Sequence, residues 1–402
     1  MSSASQQTDR GIPVLSFFTG AGFLDLGFED AGFTSVWHNE YSEDFRRGFA
    51  FGTRSMGKGR GREIENPDSI VDVGPDRIIR EAFEMHVPPI FGMIGGPPCP
   101  DFSSGGKNKG HEGENGRLSG VYVERIMEIR PTFFIFENVP GLFRTAKHKE
   151  FFASLVDKLK PHYFLDWNIL NALEYGVPQD RQRVIFFGLS QSWVGQSDLF
   201  SQRFLDKSMH ERMIAMRLRN VGLPGVHWFP WAKGRIHPDA KKAIPWPDVA
   251  PFGMDIPMPA GIPEQLTVWG WIKDLVEGAT TPNQSDQFRA YSPKFNQIPE
   301  GFTAKKSFKR LHRWRFSPAA AYGNNEVHLH PTLPRRLSVR EALRIQTVPD
   351  NYQLPPDMPL SKKFKTIGNG VPFLLAKAVA LGVRRVLTEG ISDADIRPDS
   401  RP

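Results

Sequence analysis

From Ile12 to about Leu189, short apolar runs alternate with stretches of helical periodicity, and this alternation constrains the fold more than any other feature of the chain. Ile12–Phe18, Ser35–His38, Phe91–Gly95, Phe133–Glu137, Phe164–Ile169 and Val184–Gly188 read as strands. Between them, Gly22–Ala31 reads as a helix closed by Gly32, and Val121–Ile129 as a helix stopped by Pro131. Strands and helices in alternation predict an α/β fold, a mostly parallel sheet covered by helices. Ligands in such folds sit beyond the carboxyl ends of the strands, so the chemistry is expected on that rim.

The texture changes near Gln191. From there to His330 Trp, Pro, Lys and Arg become frequent and the alternation is lost. Arg336–Gln346 then reads as a helix start, with Ser338 and Glu341 forming a capping box and Leu337 placed for a hydrophobic staple. Leu374–Val386 reads as a buried helix. The length of 402 residues suits two domains, or one with an insertion. The organisation expected is a disordered tail at 1–10, a core at 11–190, an inserted domain at 191–330, a return to the core at 331–390, and a disordered tail at 391–402.

The insertion holds most of the charge. Between Arg289 and Arg315 lie eight basic residues (Arg289, Lys294, Lys305, Lys306, Lys309, Arg310, Arg313 and Arg315) and one acid, Glu300, an excess equal to the net charge of +7 for the whole chain. Tyr291, Phe295, Phe302, Phe308 and Trp314 are interleaved with them. A solvated surface would account for such a run, and so would a surface that neutralises nucleic-acid phosphates.

The chain has a single cysteine, Cys99. One thiol can form neither an internal disulfide nor a Cys₂ or Cys₄ zinc site, so no metal centre is expected and a reducing compartment fits. The opening MSSASQQTDRG has no apolar leader, and no run approaches membrane-spanning length, which suggests a soluble cytoplasmic protein. A lone cysteine is often only a small buried hydrophobe. Here it sits in Gly95-Gly96-Pro97-Pro98-Cys99-Pro100-Asp101-Phe102-Ser103, where two glycines and three prolines lead up to and enclose it. So rigid a loop suits presentation of a nucleophile.

Other strand ends carry chemistry as well. Phe133–Glu137 delivers Glu137 to the rim, and a carboxyl at the end of a buried strand tends to hold its proton. Before Val184–Gly188, Arg181 and Arg183 stand two apart in extended chain, on one side. The first strand runs into Gly20-Ala21-Gly22, where the backbone can turn tightly and approach a ligand. The next glycine is Gly27, so this is not the dinucleotide fingerprint. Glu40-Tyr41 ends the second strand with an acid that can accept ribose hydroxyls and a ring that can stack on a purine. Asp72, after Ile70-Val71, could accept from an adenine amino group.

Taken in order, these residues resemble the DNA cytosine-5 methyltransferases of prokaryotic type, over nearly all of Val14 to Val386. The resemblance runs through Phe18-Thr19-Gly20-Ala21-Gly22, Glu40-Tyr41, Pro98-Cys99 with Phe102-Ser103 and Gly106-Lys107, Glu137-Asn138-Val139 and Gln179-x-Arg181-x-Arg183. It continues through Arg340-Glu341-Ala342 with Gln346 and Pro349-Asp350, and ends at Gly368-Asn369-Gly370-Val371-Pro372.

The resemblance implies a Rossmann-like core that transfers a methyl group from S-adenosylmethionine to C5 of a cytosine flipped out of duplex DNA. Cys99 would add to C6, Glu137 would hold the base edge and supply a proton, and Arg183 would bind O2 with Arg181 in support. Phe18, Gly20, Ala21, Gly22, Glu40, Tyr41, Asp72, Val73, Pro98, Leu118, Asn369 and Val371 would form the cofactor pocket. The insertion would be the target-recognition domain, with Ser103, Lys305, Lys306, Lys309, Arg310, Arg313 and Arg315 on the DNA. The implied partners are double-stranded DNA and a cognate restriction endonuclease, with the protein acting as a monomer.

Four positions depart from the family pattern. Ser16 replaces an acid, Phe23 a glycine, Pro100 a glutamine, and Gly370 a serine or alanine. Three other readings are set aside on the sequence. The tRNA-modifying relatives carry a late Cys-Phe-Thr, a catalytically silent relative would lack the nucleophile or acid, and a nicotinamide oxidoreductase would need the other glycine spacing.

Overall fold

A computed structural model describes residues 11–57, 64–84, 86–98, 114–219, 226–231, 234–278, 280–305, 308–320, 322 and 328–398. The expected tail at 1–10, and Cys99, Pro100, Ser103, Gly106, Lys107 and Lys306, lie outside the described residues.

The strands are β1 (Ile12–Phe17), β2 (Phe33–Asn39), β3 (Ile64–Asn66), β4 (Gly92–Gly95), β5 (Phe133–Asn138), β6 (Tyr163–Asn171), β7 (Gln179–Asp180) and β8 (Gln182–Ser190). Seven of them form one sheet in the order β3-β2-β1-β4-β5-β8-β6. Pairing is parallel from β3 to β5, and β8 runs antiparallel to both β5 and β6. The sheet is therefore mostly parallel, as expected.

Central β5, Phe-Phe-Ile-Phe-Glu-Asn, is buried along its whole length because helices cover both faces of the sheet. Its side chains alternate between the two layers. Phe133 and Ile135 pack with Leu24, Phe28, Leu375 and Val379, from α1 (Phe23–Asp30) and the carboxyl-terminal helix Phe373–Glu389. Phe134 and Phe136 pack with Tyr122, Ile126, Phe152 and Val156, from Glu114–Ile129 and Ala146–Leu159. Each of these β5 side chains contributes roughly 1.5–3 kcal/mol by leaving water. Neighbouring strands make room with glycine: a Cβ at Gly92 would lie 2.1 Å from the Phe133 ring, and one at Gly188 2.0 Å from Phe134.

The helix expected near Arg336 runs from Val339 to Ile345, with the Ser338–Glu341 capping box formed in both directions. Two expected boundaries differ. Described residues of 194–219 and 226–231, including Phe204, Met209, Met213 and Trp228, pack into the same core as the sheet, so the irregular segment starts later than 191. Buried Asp166 of β6 ties them down, accepting from the backbone N–H groups of Trp228 (3.0 Å) and Phe229 (2.9 Å) and from the Arg217 guanidinium. The tail expected to be disordered from 391 is ordered through Pro398: Ile391 and Ile396 are buried, and Arg397–Pro398 pairs antiparallel with Val226–His227.

Candidate active site

The reversed strand β8 assembles the centre of the site. Because it runs antiparallel to β5, its start lies beside the carboxyl end of β5, with Glu137 opposite Ile185 and Asn138 opposite Val184. Arg183 is thereby delivered to Glu137, Nε to Oε1 at 2.7 Å. Burial raises the pKa of Glu137, against the opposing pull of Arg183 and Arg181. The acid thus holds a proton more readily than an ordinary glutamate. The loop leaving β4 presses on the same carboxyl, since a Cβ at Gly96 would lie 2.6 Å from Glu137 Oε2. Pro97 and half-buried Pro98 follow at once, so the chain enters the cysteine loop in contact with the acid.

The two arginines divide their work. Arg181 is buried and donates to the carbonyls of Ala320 (2.9 Å), Gly368 (2.7 Å) and Gly370 (3.0 Å). Gln179 accepts from the Ala320 N–H at 3.1 Å, and β7 pairs with Ser317–Pro318. Arg181 is therefore a positioning residue that fastens two distant segments to the rim, while Arg183 faces the acid.

The loop after β1 sits on the same rim. Phe18 (φ 54°), Gly20 (φ 60°) and Gly22 (φ 76°) all take the left-handed conformation. Glu40 accepts from the N–H of Gly20 at 2.9 Å and of Ser42 at 2.8 Å, and burial raises its pKa. The Tyr41 ring is 76% exposed. Tyr352 donates its hydroxyl to the Ala21 carbonyl at 2.8 Å. Buried Thr366 Oγ1 has no hydrogen-bond partner among the described residues and lies 4.0 Å from the Cβ position of Gly20. An open glycine surface, a carboxylate, an exposed ring and a spare hydroxyl suit the amino-acid and nucleoside halves of S-adenosylmethionine. Val73 and Val371 are buried, Leu118 is half-buried, and Asp72 and Asn369 are exposed.

Two departures from the family pattern compensate each other. A Cβ at residue 370 would lie 2.3 Å from the Phe23 ring, so the phenylalanine at 23 requires the glycine at 370. The third, Ser16, bonds Thr19 (Oγ to Oγ1, 3.0 Å) and the carboxyl of Asp25. Asp25 also accepts from Ser35 at 3.1 Å and lies 3.6 Å from His38 Nε2. Burial raises its pKa to about 7, and a second carboxyl at 16 would adjoin it. The Asp25, Ser35 and His38 part of this polar chain was missed by sequence reasoning, as were Tyr352 and Thr366. Asp25 had one available signal, an acid on the inward face of an amphipathic helix.

In the basic segment, Lys305, Arg289 and Lys294 are exposed, and Lys309 and Arg315 half-buried. Arg310 and Arg313 are not exposed. Arg310 is fully buried and donates to the carbonyls of Ile298, Phe295, His330 and Leu333. Arg313 is ion-paired with buried Glu300 at 2.9 Å and donates to the Met254 carbonyl at 2.7 Å. Their guanidinium groups are committed to the interior, which removes both from the expected phosphate contacts.

The family model for C-5 cytosine-specific DNA methylase matches residues 12–223 and 265–384. The type II methyltransferase M.NmeDI of Neisseria meningitidis serogroup C is 43% identical over 95% of this chain and 86% of its own length. M.NgoPII of Neisseria gonorrhoeae, also a type II methyltransferase, is 28% identical over 96% of this chain and 99% of its own. The fold is similar to that of a prophage-encoded DNA modification methyltransferase of E. coli, with TM-score 0.57, 22% identity, and coverage of 94% of this chain and 100% of that one. With its rim of acid, arginine and glycine loop, the chain belongs to the C-5 cytosine-specific DNA methylases and is a DNA (cytosine-5) methyltransferase.

Proposed function

We propose that the protein methylates C5 of a cytosine turned out of the duplex at one specific DNA sequence, through a covalent bond from Cys99. The observation that carries this is the Glu137–Arg183 pair, 2.7 Å apart on the strand rim where the cysteine loop begins. Cytosine C5 is not nucleophilic, so the ring must first be activated. Addition of the Cys99 thiolate to C6 supplies the electrons, Glu137 holds the N3/N4 edge and gives N3 a proton, and Arg183 holds O2. Arg181 keeps that strand in register from behind. S-adenosylmethionine, held by the Phe18–Gly22 loop, Glu40, Tyr41, Asp72, Val73, Pro98, Leu118, Asn369 and Val371, supplies the methyl group. Loss of the C5 proton then expels the thiolate and restores aromaticity. The unperturbed thiol, pKa ~8.5, is only a few per cent ionised near neutrality, so a cationic or dipolar neighbour assists.

We also place Lys305, Lys306, Lys309, Arg315 and Ser103 on the DNA. The protein acts in the cytoplasm as a monomer, beside a restriction endonuclease for the same site, as the type II names of its relatives suggest. The test is transfer of label from S-adenosylmethionine to mixed-sequence duplex DNA, with bisulfite sequencing of the product. The parent should label DNA and Cys99→Ala should not. Label transferred by Cys99→Ala would overturn the nucleophile.

A further inference from the structure

Residues 224–264 fall between the two stretches that match the family model. The matched stretches carry the chemistry common to the family, so a target particular to this chain is best sought in the unmatched one. Within it, Pro251–Ala260 has no regular secondary structure, yet it is firmly held. Ala250 pairs with Glu300 through two backbone hydrogen bonds of 3.0 and 2.8 Å. The Arg310 guanidinium lies 4.0 Å from the centre of the Phe252 ring. Arg313 donates to the Met254 carbonyl at 2.7 Å, and Trp314 Nε1 to the Ile256 carbonyl at 2.7 Å. Apart from the Phe252 ring and the Asp255 carboxyl, these holds are on the backbone. Asp255 Oδ1 pairs with Arg313 Nη1 at 3.8 Å, too long for a hydrogen bond. Met254 is 54% exposed, and the Asp255 carboxyl stands fully in solvent.

This loop is linked through Arg313 to the segment that pairs with β7. Four residues after Arg313, Ser317 pairs with Gln179, itself two residues before Arg181. Four residues of chain span at most about 14 Å. A fixed loop with outward side chains, in a segment that also carries the exposed cations Lys305 and Lys294, has the form of a base reader. Arg313 offsets the charge of Asp255 at 3.8 Å without hydrogen-bonding it, so the carboxylate oxygens are open to a donor on a base edge. In the major groove cytosine presents the N4 amino group, which a carboxylate accepts from.

We propose that Gly253–Met258 is the base-reading loop of this enzyme and that Asp255 determines specificity by accepting from the exocyclic amino group of a cytosine in the target, other than the one methylated. The proposal rests on the reading of the protein as a sequence-specific DNA methylase. The experiment is bisulfite sequencing of a randomised duplex library methylated by the parent, by Asp255→Asn and by Asp248→Asn, an exposed acid of the same segment outside the held loop. Asparagine offers both donor and acceptor, so Asp255→Asn should relax one target position by about 5- to 150-fold, the range for discrimination by one side chain at a base edge. Asp248→Asn should keep the parental site. An unchanged site in Asp255→Asn, or equal relaxation in both variants, overturns the assignment of Asp255. If the parent methylates no duplex, the underlying function fails first, and that outcome is distinct from the other two.

Discussion

Phe23 and Gly370 stand almost 350 positions apart in the chain and share one volume. Gly370→Ala should therefore overpack the cofactor rim, costing about 1–3 kcal/mol. Phe23→Gly opens a cavity of its own, and in that background Gly370→Ala should cost little, visible as non-additive urea midpoints across the double-mutant cycle. Glu137→Gln keeps the shape of the acid but cannot give up its proton in the same way. It should lower kcat by roughly 10²–10⁴-fold while leaving DNA affinity nearly unchanged. Because burial raises the Glu137 pKa, the parent should hold its rate to higher pH than an ordinary glutamate would allow, and lose it as pH rises further. Asp25 gives a separate signal in stability. Its pKa rises from 3.8 unfolded to about 7 folded, so its contribution is complete below the first value and is lost as pH climbs through the second. Asp25→Asn removes that loss, so between ~pH 5 and ~pH 8 the variant should gain about 3 kcal/mol on the parent in denaturant titrations.

At the scale of elements, the direction of β8 decides where the arginines go. Run parallel, the same strand would have delivered Arg183 to the opposite edge of the sheet from Glu137. Arg181 then links that strand to the Ala320 and Gly368–Gly370 segments. Arg181→Ala would leave three carbonyls without their donor, and at about 1 kcal/mol or more each this predicts a loss of at least ~3 kcal/mol in thermal or urea unfolding. Much of this level was legible in the sequence. The apolar runs at β1, β5 and β8, and the Ser338–Glu341 cap, carry strong local signals and lie where expected. Strand direction was not legible, because an apolar run has the same composition in either direction. The three-residue β3 was too short to register. The inward turn of Arg310 and Arg313 was equally hidden, since charge counts do not say which guanidinium groups find carbonyls or a buried Glu300 to satisfy them.

At the scale of the molecule, the basic segment separates into cations that face out and cations that hold it together. In salt titrations of DNA binding, Lys305→Ala with Lys309→Ala should flatten the dependence of log affinity on log salt by about 0.9 for each phosphate no longer neutralised. Arg310→Ala should instead lower the melting temperature, because it removes the donor from four backbone carbonyls, of which Leu333 alone keeps another among the described residues, the Arg335 N–H at 2.9 Å. Equal slopes for the lysine pair and the parent would remove those lysines from the interface.

The loop after β1 is among the first parts of the chain to be synthesised, yet Tyr352, Thr366 and Gly370 complete it only near the end. Glu137 and Arg183 likewise wait for Arg181 to find Gly368 and Gly370. A chain that stops before Tyr352 therefore lacks the hydroxyl on the Ala21 carbonyl and the Gly368 and Gly370 carbonyls that Arg181 needs. The rim is thus finished from the far end of the chain, and loss of that end would unmake it with every strand of the sheet still present.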